Sequence, residues 1–571
     1  MIKIYTVVGA LLLSACGHVS PTPVGIADAA VIDIHIEMIA EDLWRVRIQM
    51  PEPTRQIIFR RTPSLDIRER WQILGSGKAL KKIGKRDVVV SDEPFTAVVF
   101  EVAADDRRLR ADYMLTQTFA DDGGVVLYLG HFVASQEGTC PDAPNAKPPC
   151  PTDVSTRFHI KPRAEEHVWL SGELHKAPFT ISDLEGESGM AYFGSRQPRQ
   201  EGIWQILAGP NVPAWMLEDL SSLTPKVTGL YTQWLGVPLM FSPQLLFSLR
   251  SGSDYSSTGG VIDEMVHFVM SGDVWQQDSP MARARYFDLI SHEAAHLWNA
   301  SMFSHDHDTG ASWMHEGGAE SLKRRVGVEL GKMNAESLWA ARALSFNQCL
   351  IGSKRPLNKA GSRGNFSLYY PCGEVIDLVV EGALRKLDLD PHAHWQLMFA
   401  TLEGEYSSEK YMAAVLALTD DDYVVDTLNT YVEKGFTQEA EFVALMRHVG
   451  IKVQGAQNAP TEGVLRATLG HLHRQDCGGG FSIIGHSGTY TLLANKRCQN
   501  TPHPGLEVAR IAGFDISVSE NVYPAFQAVV QACDRGDSIK LAGKVDEKAD
   551  SMDVVCSQPL NYTTLAGWQE G

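Results

Sequence analysis

Apolar and polar positions alternate over the early part of the chain. In Val31-Ile32-Asp33-Ile34-His35-Ile36 and Leu43-Trp44-Arg45-Val46-Arg47-Ile48 the even-numbered side chains are all apolar, the period of a half-buried strand. Val88-Val89-Val90 and Val125-Val126-Leu127-Tyr128-Leu129 continue this character, so residues 17–165 are expected to form a β-rich N-terminal domain. Strand-like and helix-like stretches mix over 166–345. Beyond that the period lengthens. Gly373 to Leu387, Ser407 to Leu418, Tyr423 to Lys434 and Gln438 to His448 place apolar residues three and four apart, which predicts a helical domain over 346–452. Residues 453–571 return to Gly-rich, β-type sequence. The fold class expected is multidomain α+β, and a chain of 571 residues exceeds what one hydrophobic core organises.

Composition adds little to this picture except at the N-terminus. Apolar content of 44% and charged content of 21% are those of a globular protein. A formal net charge of -18 argues against a nucleic-acid partner. Residues 1–16 read as a signal peptide: Lys3 precedes the apolar stretch Ile4 to Leu13, and Leu13-Ser14-Ala15-Cys16 resembles a bacterial lipoprotein signal. The expectation is a lipid on Cys16 and a place in the cell envelope. Gly17, rather than Asp, favours the outer membrane, facing periplasm or cell surface. No later stretch has about eighteen uninterrupted apolar residues, so the lipid would be the membrane anchor. Export also suits the cysteines. Of nine, Cys16 aside, the others fall into sequence neighbours, and proximity suggests Cys140 with Cys150, Cys349 with Cys372, Cys477 with Cys498 and Cys533 with Cys556.

The candidate chemistry lies in Ser291-His292-Glu293-Ala294-Ala295-His296. Residues four apart share a helix face, so His292 and His296 can hold one metal ion, with Glu293 beside them as general base. Ser279 suits the N-cap of such a helix and Pro280 its first turn. Further on, Trp313-Met314-His315-Glu316-Gly317 offers a third ligand, Glu316. Two His and one Glu, with one position left for water, is a known catalytic zinc set, and zinc is the cofactor expected. Cobalt or manganese would suit the same donors. His305 and His307 read as a solvated loop, and His315 as facing elsewhere on its helix.

His292-Glu293-x-x-His296-x-Trp298-Asn299 followed by Trp313-x-x-Glu316-Gly317 resembles the gluzincin metallopeptidases, nearest to the glycyl aminopeptidase-like branch, with leukotriene-hydrolase-type aminopeptidases next. The resemblance implies a thermolysin-like catalytic domain over 166–345 and a peptide substrate. It makes His292, His296 and Glu316 zinc ligands and Glu293 the base, and Glu320 a partner of a ligand histidine. Tyr370-Pro371-Cys372-Gly373 matches a Tyr-x-x-Gly segment whose tyrosine stabilises the oxyanion; Tyr370 is assigned that role, with Tyr369 as competitor. Gly259-Gly260-Val261-Ile262 matches a substrate-binding Gly-Gly-x-Glu edge strand. The amine-gripping Glu is here Ile262, which weakens the exopeptidase reading and leaves Asp263 or Glu264 as substitutes. Gly478-Gly479-Gly480-Phe481, a helix around Ala525 to Cys533 and the strand Asp537 to Leu541 loosely resemble a PDZ domain, or an unrelated small β-domain. Two rival functions share these residues: a catalytically silent, peptide- or envelope-protein-binding lipoprotein, and a zinc hydrolase of a non-peptide bond.

Overall fold

The computed structural model describes residues 30–569 except 61–66, 85, 105–116, 119–123, 137–153, 183–188, 253–255, 305–310, 353, 403, 437, 460, 478–481, 487–488, 495–496, 503–504 and 546–547. Cys16, the pair Cys140 and Cys150, His305, His307 and the Gly478–Phe481 turn lie outside the described residues.

The alternating N-terminal segments form an eight-stranded sheet in which Ala30–Ala40 pairs with Leu43–Phe59 on one side and, in parallel, with Val154–Lys161 on the other. A five-stranded sheet containing Val125–Tyr128, His167–Leu170 and Met190–Gly194 packs against it around Ile34, Trp44, Phe100, Leu127, Phe158 and Phe193. The β-rich part thus continues past residue 165, through Gly194. His167–Leu170 and Met190–Gly194 are buried on both faces, and strands of that kind lose the alternation that would betray them in the sequence.

A second five-stranded sheet follows, in the order Arg199–Glu201, Trp204–Ala208, Gln244–Arg250, Met265–Ser271, Ser256–Ile262. The middle three strands are parallel; the last is an antiparallel edge strand. Helices α1 (Ala214–Leu235), α2 (Pro280–His296) and α3 (Ser312–Glu329) pack beside it. Helix α2 starts as its sequence suggests: Ser279 Oγ accepts from the Ala282 amide and Pro280 fills the first turn. The Tyr231 hydroxyl of α1 donates to the Ser291 carbonyl at 2.7 Å and pins α2 in place.

Helices α4 (Ala335–Gly352), α5 (Tyr369–Arg385), α6 (Ala393–Ala400), α7 (Ser408–Thr419), α8 (Asp422–Lys434) and α9 (Glu439–His448) form the helical part. One apolar cluster runs from Trp204 through Phe346, Val379 and Tyr431 to Ile451, so the sheet and these helices share a core. The closest junction is glycine on glycine. A Cβ on Gly373 of α5 would lie 1.9 Å from the Trp313 carbonyl oxygen of α3, and one on Gly317 would lie 2.2 Å from the Gly373 Cα. Cys349 and Cys372 form a disulfide joining α4 to α5.

In the C-terminal part, Ile451–Gly455 pairs with Thr563–Trp568, and the Asn347 side chain exchanges hydrogen bonds with Thr563, fastening this strand pair to α4. A six-stranded sheet follows, flanked by α10 (Thr461–Cys477) and α11 (Ser519–Arg535). The segment forming α10 is helical where β-type sequence was expected. Val464, Leu465, Leu469 and Leu472 supply its apolar face, a signal overshadowed by the glycines that follow. Disulfides Cys477–Cys498 and Cys533–Cys556 complete three of the neighbour pairs. Among the described residues no helix is long and apolar enough to cross a membrane.

Two outcomes are expected. Gly373→Ala forces α3 and α5 apart and should destabilise the chain by about 1–3 kcal/mol, the range for overpacking, as read by urea unfolding. The Asp377 carboxylate of α5 accepts from His394 Nε2, Trp395 Nε1 and Tyr411 Oη at 2.9, 3.0 and 3.2 Å, and from Ser321 Oγ. Burial alone would raise its pKa, but these donors and Arg325 hold it below the carboxylate range. A depressed folded pKa contributes stability above the unfolded value of about 3.9 and loses it as pH falls towards the folded one. Asp377→Ala should therefore cost about 3–5 kcal/mol at pH 7, with the difference from the parent shrinking below about pH 4.

Candidate active site

Helix α2 presents His292, Glu293 and His296, and α3 presents Glu316 opposite them; all four are buried. His292 Nε2 and His296 Nε2 lie 3.2 Å apart, and Glu316 Oε2 lies 3.4 Å from the first and 3.6 Å from the second. Tetrahedral zinc with bonds of about 2.0–2.1 Å separates its ligands by about 3.3 Å, so the triangle has the size that zinc requires.

The outer contacts orient the donors. His296 Nδ1 donates to Asn299 Oδ1 at 2.9 Å, and His292 Nδ1 lies 3.0 Å from Glu320 Oε1. With an acceptor facing each Nδ1, both Nε2 lone pairs converge on Glu316 Oε2, a buried atom without a hydrogen-bond donor. Two lone pairs and a carboxylate aimed at one point repel one another unless a cation sits between them.

Charge follows the same pattern. Burial opposes ionisation of Glu316, yet the two imidazoles hold its pKa well below the usual value. Glu320 is likewise well below despite burial, with Lys323 at 2.6 Å and His292 as its main supports. Burial pulls His292 down, but Glu316 and Glu320 outweigh it and push the imidazole to about 10. In the metal-free chain a proton supplies the positive charge that the two carboxylates demand. Glu293 is raised by burial, partly offset by the imidazoles, which leaves it a stronger base than an exposed carboxylate. The donor set and its charge fit zinc.

The edge strand Ser256–Ile262 passes beside Glu293. A Cβ on Gly259 would sit 2.9 Å from Glu293 Cγ and Oε1, so glycine there permits the approach. Gly260 faces the other way, towards the His267 ring. Ile262 is buried in a seam with Val126, Tyr128, Trp169 and Tyr192 of the five-stranded N-terminal sheet, which is why an apolar residue stands there. Asp263 and Glu264 form the turn after this strand. Asp263 is left-handed at φ 51°, its carbonyl accepts from Ser301 Oγ, and burial raises the Glu264 pKa.

The two tyrosines separate cleanly. The Tyr370 ring stacks 5.6 Å from His292, half-buried at the site. The Tyr369 hydroxyl accepts from the Gly361 amide at 2.9 Å and donates to the Asn358 carbonyl, bracing the preceding segment. His315 does not face away as its helix position suggested. It stacks on His296 at 4.0 Å and donates from Nδ1 to the Asn299 carbonyl, outside the ligand triangle.

Asn299 and Tyr406 received no role from sequence reasoning. Asn299 sits where α2 loosens into the π-turn Leu297–Met302, and its Nδ2 donates to the His315 carbonyl. The buried Tyr406 hydroxyl donates to the Asn299 carbonyl at 2.6 Å. Asn299 stands three residues after His296, a spacing that brings the two side chains to one face, and the backbone leaves helical geometry at Asn299 itself.

No family model matches the sequence, and no curated protein is similar to it in sequence. The fold is shared with a solved structure. A crystal structure of an aminopeptidase N family protein from Idiomarina loihiensis matches with a TM-score of 0.57 at 14% identity, covering 95% of this chain and 98% of that one. More distant are an M1 zinc metallopeptidase from Deinococcus radiodurans (TM-score 0.41, 13% identity, 72% and 94% covered) and leukotriene A4 hydrolase from Saccharomyces cerevisiae (0.44, 13%, 72% and 68%). At 14% identity the first of these likenesses is one of fold. It shows a multidomain α+β chain with a β-rich N-terminal part and a helical part.

The outer contact yields a direct expectation. Glu320→Ala should weaken zinc affinity by about 10–100-fold while the chain stays folded, as measured by competition with a chromogenic chelator.

Proposed function

We propose that this chain is a zinc metallopeptidase that hydrolyses peptide bonds in extracytoplasmic peptides. The observation that carries the reading is the triangle of His292, His296 and Glu316 donor atoms with the Glu293 carboxylate beside it. Zinc bound there would polarise the scissile carbonyl and acidify a water molecule. Glu293, raised by burial, accepts the proton of the attacking water and returns it to the leaving amine. The Tyr370 hydroxyl donates to the oxyanion as charge develops. Among the described residues the outer side of the edge strand beside Glu293 pairs with no other strand, and an extended peptide adds there as a further strand. Gly259 and Gly260 keep that edge low, and Asp263 and Glu264 at its end meet the substrate's flank.

Ile262 removes the carboxylate that would grip a free N-terminus, so the site is aminopeptidase-like without a fixed requirement for an end. The lipoprotein-like segment before Cys16 supports anchoring at the cell envelope through a lipid. In the C-terminal part, the strand Gly505–Ile511, α11 and the strand Ser538–Val545 follow one another in an order that supports a PDZ-like, peptide-binding role.

With a mixed peptide library, Glu293→Gln should retain zinc and lower turnover by about 10²–10⁴-fold. Tyr370→Phe should lower kcat by about 10²–10³-fold with KM little changed, whereas Tyr369→Phe should affect stability more than turnover. Zinc bound without cleavage of any peptide would contradict the peptidase reading, and the products show whether cuts are terminal or internal.

A further inference from the structure

The two candidate ligand histidines are backed differently. His296 Nδ1 meets the neutral amide oxygen of Asn299, whereas His292 Nδ1 lies 3.0 Å from a carboxylate oxygen, Glu320 Oε1. That carboxylate is held at both oxygens. Lys323 Nζ lies 2.6 Å from Oε1, the oxygen that faces His292, and Arg324 lies 3.6 Å from Oε2. Arg324 is shared with Glu374 of α5, whereas among the described residues the ion-pair partner of Lys323 is Glu320. Glu316, Glu320 and Lys323 follow at intervals of four and three on α3 and so share one face of it. Lys323 is only 8% exposed, and lysines are almost never taken so far out of water unless paired.

We propose that Lys323 is a positioning residue of the zinc site: by holding Glu320 Oε1 it keeps the acceptor of His292 Nδ1 in place, and with it the aim of His292 Nε2. The terminal torsion of a glutamate is soft, so a carboxylate left to itself turns. Without Lys323 the nearest cation is Arg324, on the other oxygen, and the carboxylate is drawn away from His292. A mere counter-charge would act alike from either oxygen; a positioning residue acts from Oε1. The inference rests on the zinc reading of the site and is independent of peptide hydrolysis.

The test is the zinc affinity of the full chain, measured by competition with a chromogenic chelator. Lys323→Met should weaken binding by about tenfold, the low end for outer partners of a metal ligand. Arg324→Met removes the same charge from the same carboxylate, but from Oε2, and should weaken binding markedly less. Lys323→Arg, which keeps a donor on Oε1, should recover part of the loss. In a chain already carrying Glu320→Gln, Lys323→Met should add little, because its route to His292 is gone. Loaded with cobalt, which suits the same donors, Lys323→Met should shift the visible absorption bands more than Arg324→Met does. All these variants are expected to lower the melting temperature, so the comparison is made on affinity and spectrum. Equal losses for Lys323→Met and Arg324→Met would reduce Lys323 to a counter-charge and overturn the proposal. Undiminished affinity in Lys323→Met, or the same loss with and without Glu320→Gln, would also overturn it. A parent chain that takes up no zinc would overturn the zinc reading as well.

Discussion

Helices α3 and α5 touch backbone to backbone at Gly317 and Gly373, with room for no side chain between them. Glu316 precedes the first of these glycines and Tyr370 lies one turn before the second, so the contact sets how the candidate metal ligand and the candidate oxyanion donor stand to one another. Neighbouring restraints converge on the same junction. The Cys349–Cys372 disulfide holds the start of α5 to α4, Ser321 of α3 donates to Asp377 of α5, and Asp377 in turn gathers α6 and α7. A shared core between sheet and helices follows, because helices this close cannot belong to separately folding units.

Electrostatics act within that frame. Glu293, Glu316 and Glu320 are brought out of water within one small volume, an arrangement that costs several kcal/mol per ion unless positive charge is present. Lys323 and Arg324 answer Glu320 from the same helix, and Glu374 answers Arg324 from α5. Among the described residues no lysine or arginine is ion-paired with Glu316, whose partners are the two imidazoles. The arrangement suits a cation bound between the helices, with Glu293 as the basic group beside it.

The parts of this arrangement that depend on local periodicity were readable in the sequence. The i and i+4 histidines, the Ser279 cap and the amphipathic helices α7, α8 and α9 follow from spacing within one element. What needed the third dimension was contact between elements. Tyr369 and Tyr370 are indistinguishable as neighbours, and only the packing sends one ring to His292 and the other to Gly361. Ile262 looks like a lost functional residue until the seam with the five-stranded N-terminal sheet gives it a structural one. Asn299 stands three residues after His296, but that it also joins His315 and Tyr406 is visible only once the elements are packed. The strands from His167 to Gly194 were hidden by burial on both faces.

The most direct test of the account is the zinc content of the purified chain, measured by plasma mass spectrometry after dialysis against metal-free buffer, alongside Glu316→Ala. One zinc per chain in the parent, and loss of it in the variant with the fold retained, is the result predicted by the geometry of His292, His296 and Glu316. A parent chain that takes up no zinc from stoichiometric metal, or a variant that holds it as tightly, would contradict the central claim.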